Sequence, residues 1–189
     1  MSKARNHATC AIRALLALLF LFVFAAAPLA AHADALSDAD LLLRTGHSAQ
    51  ALEKVEAYLA KNPDDMQARF LKGLILTEQK RESEAIDVFL RLTQDNPEYA
   101  EPYNNLAVLY AARGNLEDAR NALEAAVRVN PKYVTAQENL GDVYARLAAQ
   151  AYERAAALDT KSKDVGAKLK LSRELVAVGE EKAAASPDP

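Results

Sequence analysis

Residues 100–133 read AEPYNNLAVLYAARGNLEDARNALEAAVRVNPKY, and this stretch decides the fold. Between Pro97 and Pro131 there is room for two helices of about 12–14 residues each and two short turns. Gly114 falls in the middle, where a tight turn between helices needs a positive φ. Pro131 stops the second helix, because proline cannot continue the hydrogen-bond ladder. The stretch therefore predicts one helical hairpin.

The same pattern recurs with a period of 34 residues on either side of this stretch. Because several independent columns agree on one period, the signal indicates a repeat architecture. Small residues in register predict close approach of two helix backbones, and large residues fill the space beside them. In the second copy Lys80 replaces the turn glycine, so we expect that turn to be made differently. The columns are Pro63, Pro97, Pro131; Ala51, Ala85, Ala119; Ala39, Gly73, Ala107, Gly141; and Leu42, Leu76, Tyr110, Tyr144.

Composition agrees with a helical protein. The 189 residues are 51% hydrophobic but only 6% aromatic, and tryptophan is absent. Alanine supplies much of the apolar fraction, which favours helices over strands. The formal net charge of −3 without a clustered basic face argues against nucleic acid as a partner.

The first 33 residues are predicted to be a cleaved export signal. Basic residues without any acid precede the apolar run Ala14–Ala27, and Pro28 ends that run. Ala31 and Ala33 then supply the small residues that a signal peptidase reads, and cleavage after Ala35 is an alternative. The run is shorter than the 20 or so apolar residues of a membrane-spanning helix, so an uncleaved membrane anchor is the less favoured interpretation.

Cleavage would change the chemistry of the mature chain. Twenty basic and 26 acidic residues would remain, a formal net charge of −6, and the one cysteine, Cys10, would be lost. The mature protein would then need no disulfide in an oxidising compartment. We expect a periplasmic location, with no insertion into the membrane after cleavage.

The repeat resembles the tetratricopeptide repeat (TPR) family of exported type. The resemblance implies an all-α solenoid of stacked antiparallel helix pairs over residues 34–159, with units at about 34–65, 66–99, 100–133 and 134–159. The residues of the best unit that match the family pattern are Tyr103, Leu106, Ala107, Tyr110, Gly114, Ala119, Ala126 and Pro131.

The fourth unit departs from the pattern. The residues that match the second-helix positions occur five residues earlier than the 34-residue period predicts. Apolar residues step by three or four through this region, which predicts one long helix from Val134 to Leu158 in place of a hairpin. Residues 160–179 are expected to form a capping helix with a modest apolar stripe that includes Leu175. Residues 180–189 are expected to be disordered.

Candidate chemistry is scarce. His47 is the only histidine that cleavage would leave, and it lies in a predicted turn without a cysteine partner or a base–nucleophile set. No set of converging ligands at fixed spacing predicts a metal site, and no glycine-rich phosphate loop is present. We therefore expect no enzyme activity and no cofactor.

Family resemblance implies that the first helices line a concave groove for a protein or peptide. Leu36 and Asp40 would be the groove residues of the first unit. Asn105 and Asn139 are 34 residues apart and should stack, and Phe70 and Leu74 look redundant for internal packing. The groove residues implied for the later units are Phe70, Leu71, Leu74, Asn104, Asn105, Val108, Glu138, Asn139 and Asp142.

The sequence thus predicts a protein-binding scaffold of the cell envelope. A structural subunit that self-associates through its edges is the alternative, and an enzyme subunit is less favoured. The identity of the partner, the pathway and the oligomeric state are left open.

Overall fold

A computed structural model describes residues 36–185, except for several side chains near the end of the last helix. Helices joined by short turns make up this range, which contains no strand, and this confirms the predicted fold class. The predicted signal and the last four residues lie outside the described residues. The helices are α1 (36–44), α2 (Ser48–Leu59), α3 (Met66–Glu78), α4 (Glu82–Asp95), α5 (Ala100–Ala112), α6 (Leu116–Val129), α7 (Val134–Leu158) and α8 (Lys163–Ala185).

The chain divides into two compact units between Lys61 and Asn62. The first unit contains the hairpin of α1 and α2, in which Ala39, Ala51 and Val55 are buried. In the second unit each helix from α3 to α8 packs on the next, and α5 also contacts α7. This order of contacts is that of a short α-solenoid.

The core of the second unit repeats the columns seen in the sequence. The second helices α4 and α6 bury alanine and a larger apolar residue at equivalent positions, Ala85 with Phe89 and Ala119 with Leu123. These four side chains are at most 1% exposed. Burying one such large side chain stabilises a fold by about 1.5–3 kcal/mol, so the repeat spacing itself specifies the core.

The three turns inside the helix pairs share one geometry. Gly46 and Gly114 have φ values of 78° and 79°, and Lys80 has a φ of 59°. In each turn the next residue donates its backbone N–H five residues back, as Arg81 does to the Leu76 carbonyl at 2.9 Å. This is the Schellman motif, which requires a left-handed residue. The expectation of a different turn at Lys80 was wrong, because the hairpin fixes the backbone and lysine accepts the strain.

Two glycines of the small-residue column, Gly73 and Gly141, have different surroundings. A Cβ atom added to Gly73 would lie 2.5 Å from Cε1 of Phe89, so the predicted close approach is present there. At Gly141 a Cβ would meet nothing within 4 Å, and the residue is exposed. The expectation of close packing at Gly141 was wrong, because α7 runs on as one helix and, within residues 36–185, no second helix folds back over that position.

The end of the chain is more helical than expected. α7 spans Val134–Leu158 as one helix, as predicted. α8 continues to Ala185, whereas we expected it to end near Gly179 and be followed by disorder. Residues 180–185 read EEKAAA, a run of good helix formers that extends the helix without a packing requirement. Leu175 is 56% exposed, so it does not belong to the packed stripe in which we placed it.

Candidate functional site

A mostly apolar cleft in the second unit opens between α5, α7 and α8 and has a volume of about 240 Å³. Small apolar side chains of α5 form one wall, α7 forms the opposite wall, and α8 closes the third side. The lining residues are Ala107, Val108, Ala111, Ala112, Leu123, Asn139, Asp142, Val143, Arg146, Val176 and Gly179.

Three of the predicted groove residues meet in this cleft: Val108, Asn139 and Asp142. Val108 keeps 48% of its surface exposed, although it lies in the middle of α5 and its neighbours Ala107 and Leu109 are buried. Without a guest, this exposed valine does not gain the stabilising free energy that its burial would provide. The cleft therefore offers a guest apolar surface that internal packing does not use.

An asparagine pair joins α5 to α7 beside the cleft. Asn139 Nδ2 donates to Asn104 Oδ1 at 2.9 Å, and Asn104 is buried. Asn105 Nδ2 instead donates to the Glu101 carbonyl of its own helix at 2.9 Å. The expected stack of Asn105 on Asn139 was therefore wrong by one position. Neighbouring residues on a helix point about 100° apart, so only Asn104 reaches α7.

The apolar end of the predicted groove lies inside the packing of the second unit. The Phe70 ring contacts the ring of buried Phe89 at a centroid distance of 5.7 Å and that of Tyr99 at 5.3 Å. Leu71 is buried and Leu74 is partly buried. The expectation that Phe70 is redundant for packing was wrong, because its ring fills space between α4 and the start of α5. None of these three residues lines the cleft.

Tyr99 titrates unusually as a result of this packing. Burial, with a smaller contribution from the Glu101 carboxylate, raises the pKa of Tyr99 to about 12 from its ordinary value of 10.0.

The remaining predicted groove residues lie elsewhere. Glu138 is exposed and does not line the cleft. Leu36 and Asp40 belong to the other compact unit, where Asp40 accepts from Arg44 Nε at 2.8 Å.

Sequence reasoning missed Arg146, Val176 and Gly179. Arg146 lies one helical turn after Asp142, so helical spacing alone would have added it to the same face of α7. Val176 and Gly179 belong to α8, which lies outside the 34-residue repeat. No periodic signal could have indicated that α8 forms the third wall.

The cleft carries both signs of charge on its α7 wall. Among the described side chains, neither Asp142 nor Arg146 has an ion pair, although they are four residues apart on one helix. The carboxylate can accept hydrogen bonds from a guest amine or amide, and the guanidinium can donate to a guest carboxylate or carbonyl. The arrangement can hold an apolar side chain while bonding the polar groups that flank it.

Catalytic and metal chemistry has little support in the described residues. Residues 36–185 contain no cluster of three or more histidine, cysteine or carboxylate side chains that could hold a metal ion. His47 is exposed, and its Nδ1 lies 3.1 Å from Thr45 Oγ1 in the α1–α2 turn. Across the same range, no helix combines the length and the hydropathy that crossing a membrane requires.

Known structures and sequences resemble this chain over its repeats. A thermophilic TPR protein from Thermus thermophilus is 25% identical, with a TM-score of 0.57, and the match covers 75% of this chain and 80% of that one. YrrB, described as a TPR protein with an unusual peptide-binding site, is 27% identical with a TM-score of 0.51 over 53% of this chain and 52% of its own.

A match to a probable enzyme is confined to a small part of that enzyme. The probable UDP-N-acetylglucosamine–peptide N-acetylglucosaminyltransferase SPINDLY of Hordeum vulgare is 29% identical over 110 residues. These residues are 58% of this chain and only 12% of that protein.

Models of one repeat family match three segments of the sequence. Two models described as tetratricopeptide repeat match residues 36–100 and 88–121, and one described as TPR repeat matches residues 109–147. Together the matches run without a gap from residue 36 to residue 147, the range in which the 34-residue columns and the helix pairs were found. The chain belongs to the tetratricopeptide repeat family.

Proposed function

We propose that this protein is a binding scaffold whose α5–α7–α8 cleft holds a segment of another protein or peptide. The observation that carries the proposal is the half-exposed Val108 on an alanine-rich wall, facing a polar edge on α7. Small side chains on α5 leave room for a guest side chain. Asn139, Asp142 and Arg146 supply hydrogen bonds to the guest backbone beside it.

The size and chemistry of the cleft limit the guest. A volume of about 240 Å³ is below that of a site for a drug-sized ligand, so it suits a single apolar side chain and its adjacent backbone. A guest with a basic or amide group one or two residues away would complement Asp142. A guest carbonyl or carboxylate would complement Arg146.

Over the repeat region that they cover, the comparisons agree with a binding role. YrrB is described as having a peptide-binding site, and we extend peptide binding from that relative to this chain. The match to SPINDLY covers only 12% of that protein, so we do not extend its transferase activity to this chain.

Site-specific photocrosslinking in cells tests the cleft directly. A photoreactive residue at position 108 should capture a discrete partner. The same residue at position 134 should not, because Val134 is a 75% exposed valine that does not line the cleft. Adding Arg146→Ala to the position-108 variant should reduce the yield, since one of the polar contacts is lost. Equal capture at both positions would remove the support for this cleft.

We further propose that the scaffold acts in the cell envelope, on the evidence of the N-terminal segment alone. Its basic start, apolar run and small residues at Ala31 and Ala33 have the order of an export signal. Cell fractionation with N-terminal sequencing tests this, and we expect an envelope protein that begins at Asp34 or Leu36. A chain that retains Met1 in the cytoplasm would contradict the location and leave the cleft proposal intact.

A further inference from the structure

Two charged residues on the α7 wall of the cleft stay apart although their spacing favours an ion pair. Asp142 and Arg146 are four residues apart with the acid first, the order that stabilises a pair within a helix. The same two residue types at the same spacing do pair in α1, where Arg44 Nε donates to Asp40 at 2.8 Å. Among the side chains that the structure describes, Asp142 and Arg146 make neither an ion pair nor a side-chain hydrogen bond. Both groups are therefore available to a guest.

The α8 wall of the cleft leaves both charges without a partner. Gly179 faces Asp142, and a Cβ added there would lie 3.3 Å from Cγ and Oδ1 of the carboxyl group. Because glycine has no side chain, α8 comes close to the carboxylate at this point without bringing a side-chain donor. Val176 lies one turn earlier in α8 and lines the cleft together with Arg146. Its side chain is apolar and offers the guanidinium no acceptor.

A second hollow adjoins the cleft beside Arg146. Arg146 and Val176 line both spaces, and the second hollow, of about 250 Å³, lies between α7, α8 and the start of α6. The other two charged residues that line it, Glu153 and Arg173, pair with each other at 2.8 Å. The hollow therefore adds room for the guest chain beyond Arg146 but no further unpaired charge. This arrangement suits an internal segment of a chain that continues past the cleft.

The spacing of the two charges matches the repeat of an extended peptide. Residues 142 and 146 are about 6 Å apart along the axis of α7, at a rise of about 1.5 Å per residue. In an extended chain the side chains of alternate residues point the same way and are about 6.6 Å apart, while the residue between them points to the opposite side. α7 supplies the charges, and the facing wall of α5 supplies Val108 and Ala111. The outer residues of an extended tripeptide can therefore meet α7 while the middle residue meets α5.

We propose that the cleft recognises an extended segment of a guest chain in which one apolar residue stands between a basic and an acidic residue. The basic side chain pairs with Asp142, the acidic side chain pairs with Arg146, and the apolar side chain packs on Val108. Either order of the two charges satisfies the site, since an extended chain can lie along α7 in both directions. Two like charges would set one of them against a residue of the same sign. The inference rests on the proposed function, because it names the guest of the same cleft.

Titration of the intact protein, purified as the producing cell processes it, with four capped heptapeptides tests the charge pattern. Their central residues are Lys-Leu-Glu, Glu-Leu-Lys, Lys-Leu-Lys and Glu-Leu-Glu, with glycine and serine on either side. NMR shifts of the Val108 and Val176 amides locate the binding and give the affinity. We expect both mixed peptides to bind about 3- to 10-fold more tightly than either like-charged peptide, because one exposed attraction becomes a repulsion in the latter. Equal affinities of the four peptides would overturn the proposal.

A charge reversal at Arg146 tests the role of each charge. In Arg146→Glu both charged positions of the cleft are acidic, so the preference should move to the Lys-Leu-Lys peptide, with helicity unchanged in circular dichroism. Arg154→Glu is the matched control, because it makes the same change in net charge at an exposed arginine of α7 that does not line the cleft. This control should keep the preference of wild type. A change of preference that both variants share, or that neither shows, would contradict the assignment.

The charge pattern and the binding role can fail separately. If a photoreactive residue at position 108 captures a partner while the four peptides bind alike or do not bind, the charge pattern is wrong and the cleft remains a binding site. If position 108 captures no more than position 134 does, the proposed function fails and the charge pattern fails with it. Preference for the mixed peptides in wild type, together with its reversal in Arg146→Glu alone, supports both.

Discussion

Two glycines in the same repeat column should respond oppositely to alanine. A Cβ on Gly73 would lie 2.5 Å from Cε1 and 2.6 Å from Cζ of Phe89, whereas a Cβ on Gly141 would meet nothing within 4 Å. Both residues lie inside helices of the second compact unit, so one unfolding transition reports on both. The repeat alone assigns them the same role, and the structure separates them.

The magnitudes follow from two opposing terms. Alanine stabilises a helix interior by about 0.5–1 kcal/mol relative to glycine, and at Gly141 no contact opposes this gain. At Gly73 the ring of Phe89 must move by about 1 Å to reach ordinary carbon–carbon contact. Phe89 is 0% exposed and already touches Phe70, so the overpacking costs about 2–3 kcal/mol. We expect Gly73→Ala to lower the free energy of unfolding by about 1–2 kcal/mol and Gly141→Ala to raise it by about 0.5–1 kcal/mol.

Urea denaturation followed by circular dichroism measures both changes, with an unchanged slope required for the comparison. Replacing Phe89 with leucine should make Gly73→Ala less harmful than it is alone, since the smaller side chain frees the space that the Cβ needs. If Gly73→Ala stabilised the protein as much as Gly141→Ala does, the close approach of α3 to α4 would be refuted.

Two further predictions concern backbone strain and alkaline stability. Lys80→Gly should raise the free energy of unfolding by about 0.5–1 kcal/mol because it relieves the left-handed strain, net of the entropy that glycine adds to the unfolded chain. Gly114→Ala should lower it by about 1 kcal/mol, with no clash involved, since a Cβ there meets nothing within 4 Å. Urea midpoints check both, and no change at either site would contradict the shared turn. The pKa of Tyr99 is raised from 10.0 to about 12, so its contribution to stability is complete below pH 10 and is lost as the pH rises through 12. Tyr99→Phe should therefore lose less stability between pH 10 and 12 than wild type. The tyrosinate absorbance of this variant should lack the component that appears at the highest pH in wild type. Identical titration curves for the two proteins would contradict the raised pKa of Tyr99.

The sequence was most informative where one residue type has one structural use. Gly46 and Gly114 indicated the turns, because a left-handed backbone favours glycine. The shortened spacing in the fourth unit indicated that α7 is one helix. The same reasoning failed at Lys80, since the hairpin on either side imposes the turn whatever residue occupies it. Periodicity locates a turn reliably, but the residue at the turn does not reveal whether the backbone there is strained.

The groove was less predictable, because column positions give a face of a helix but not the reach of a side chain. Asn104 and Asn105 are adjacent, and a rotation of about 100° decides which of them meets Asn139. Phe70 was assigned to the groove by its column, yet its ring is long enough to reach Phe89 and Tyr99. Val108 lines the cleft because valine is short and Ala107, Ala111 and Ala112 on the same helix leave it at the surface.

One change to the repeat accounts for several features at the end of the chain. Because the fourth unit lacks its turn, α7 continues straight and no second helix covers Gly141. The exposed side of α7 is covered instead by α8, which arrives from outside the repeat and packs against no other helix as extensively. That position makes α8 a wall of the cleft through Val176 and Gly179 and leaves the neighbouring Leu175 exposed. We therefore expect that a variant that restored the turn would displace α8 and remove the third wall of the proposed binding cleft, which loss of crosslinking from position 108 would show.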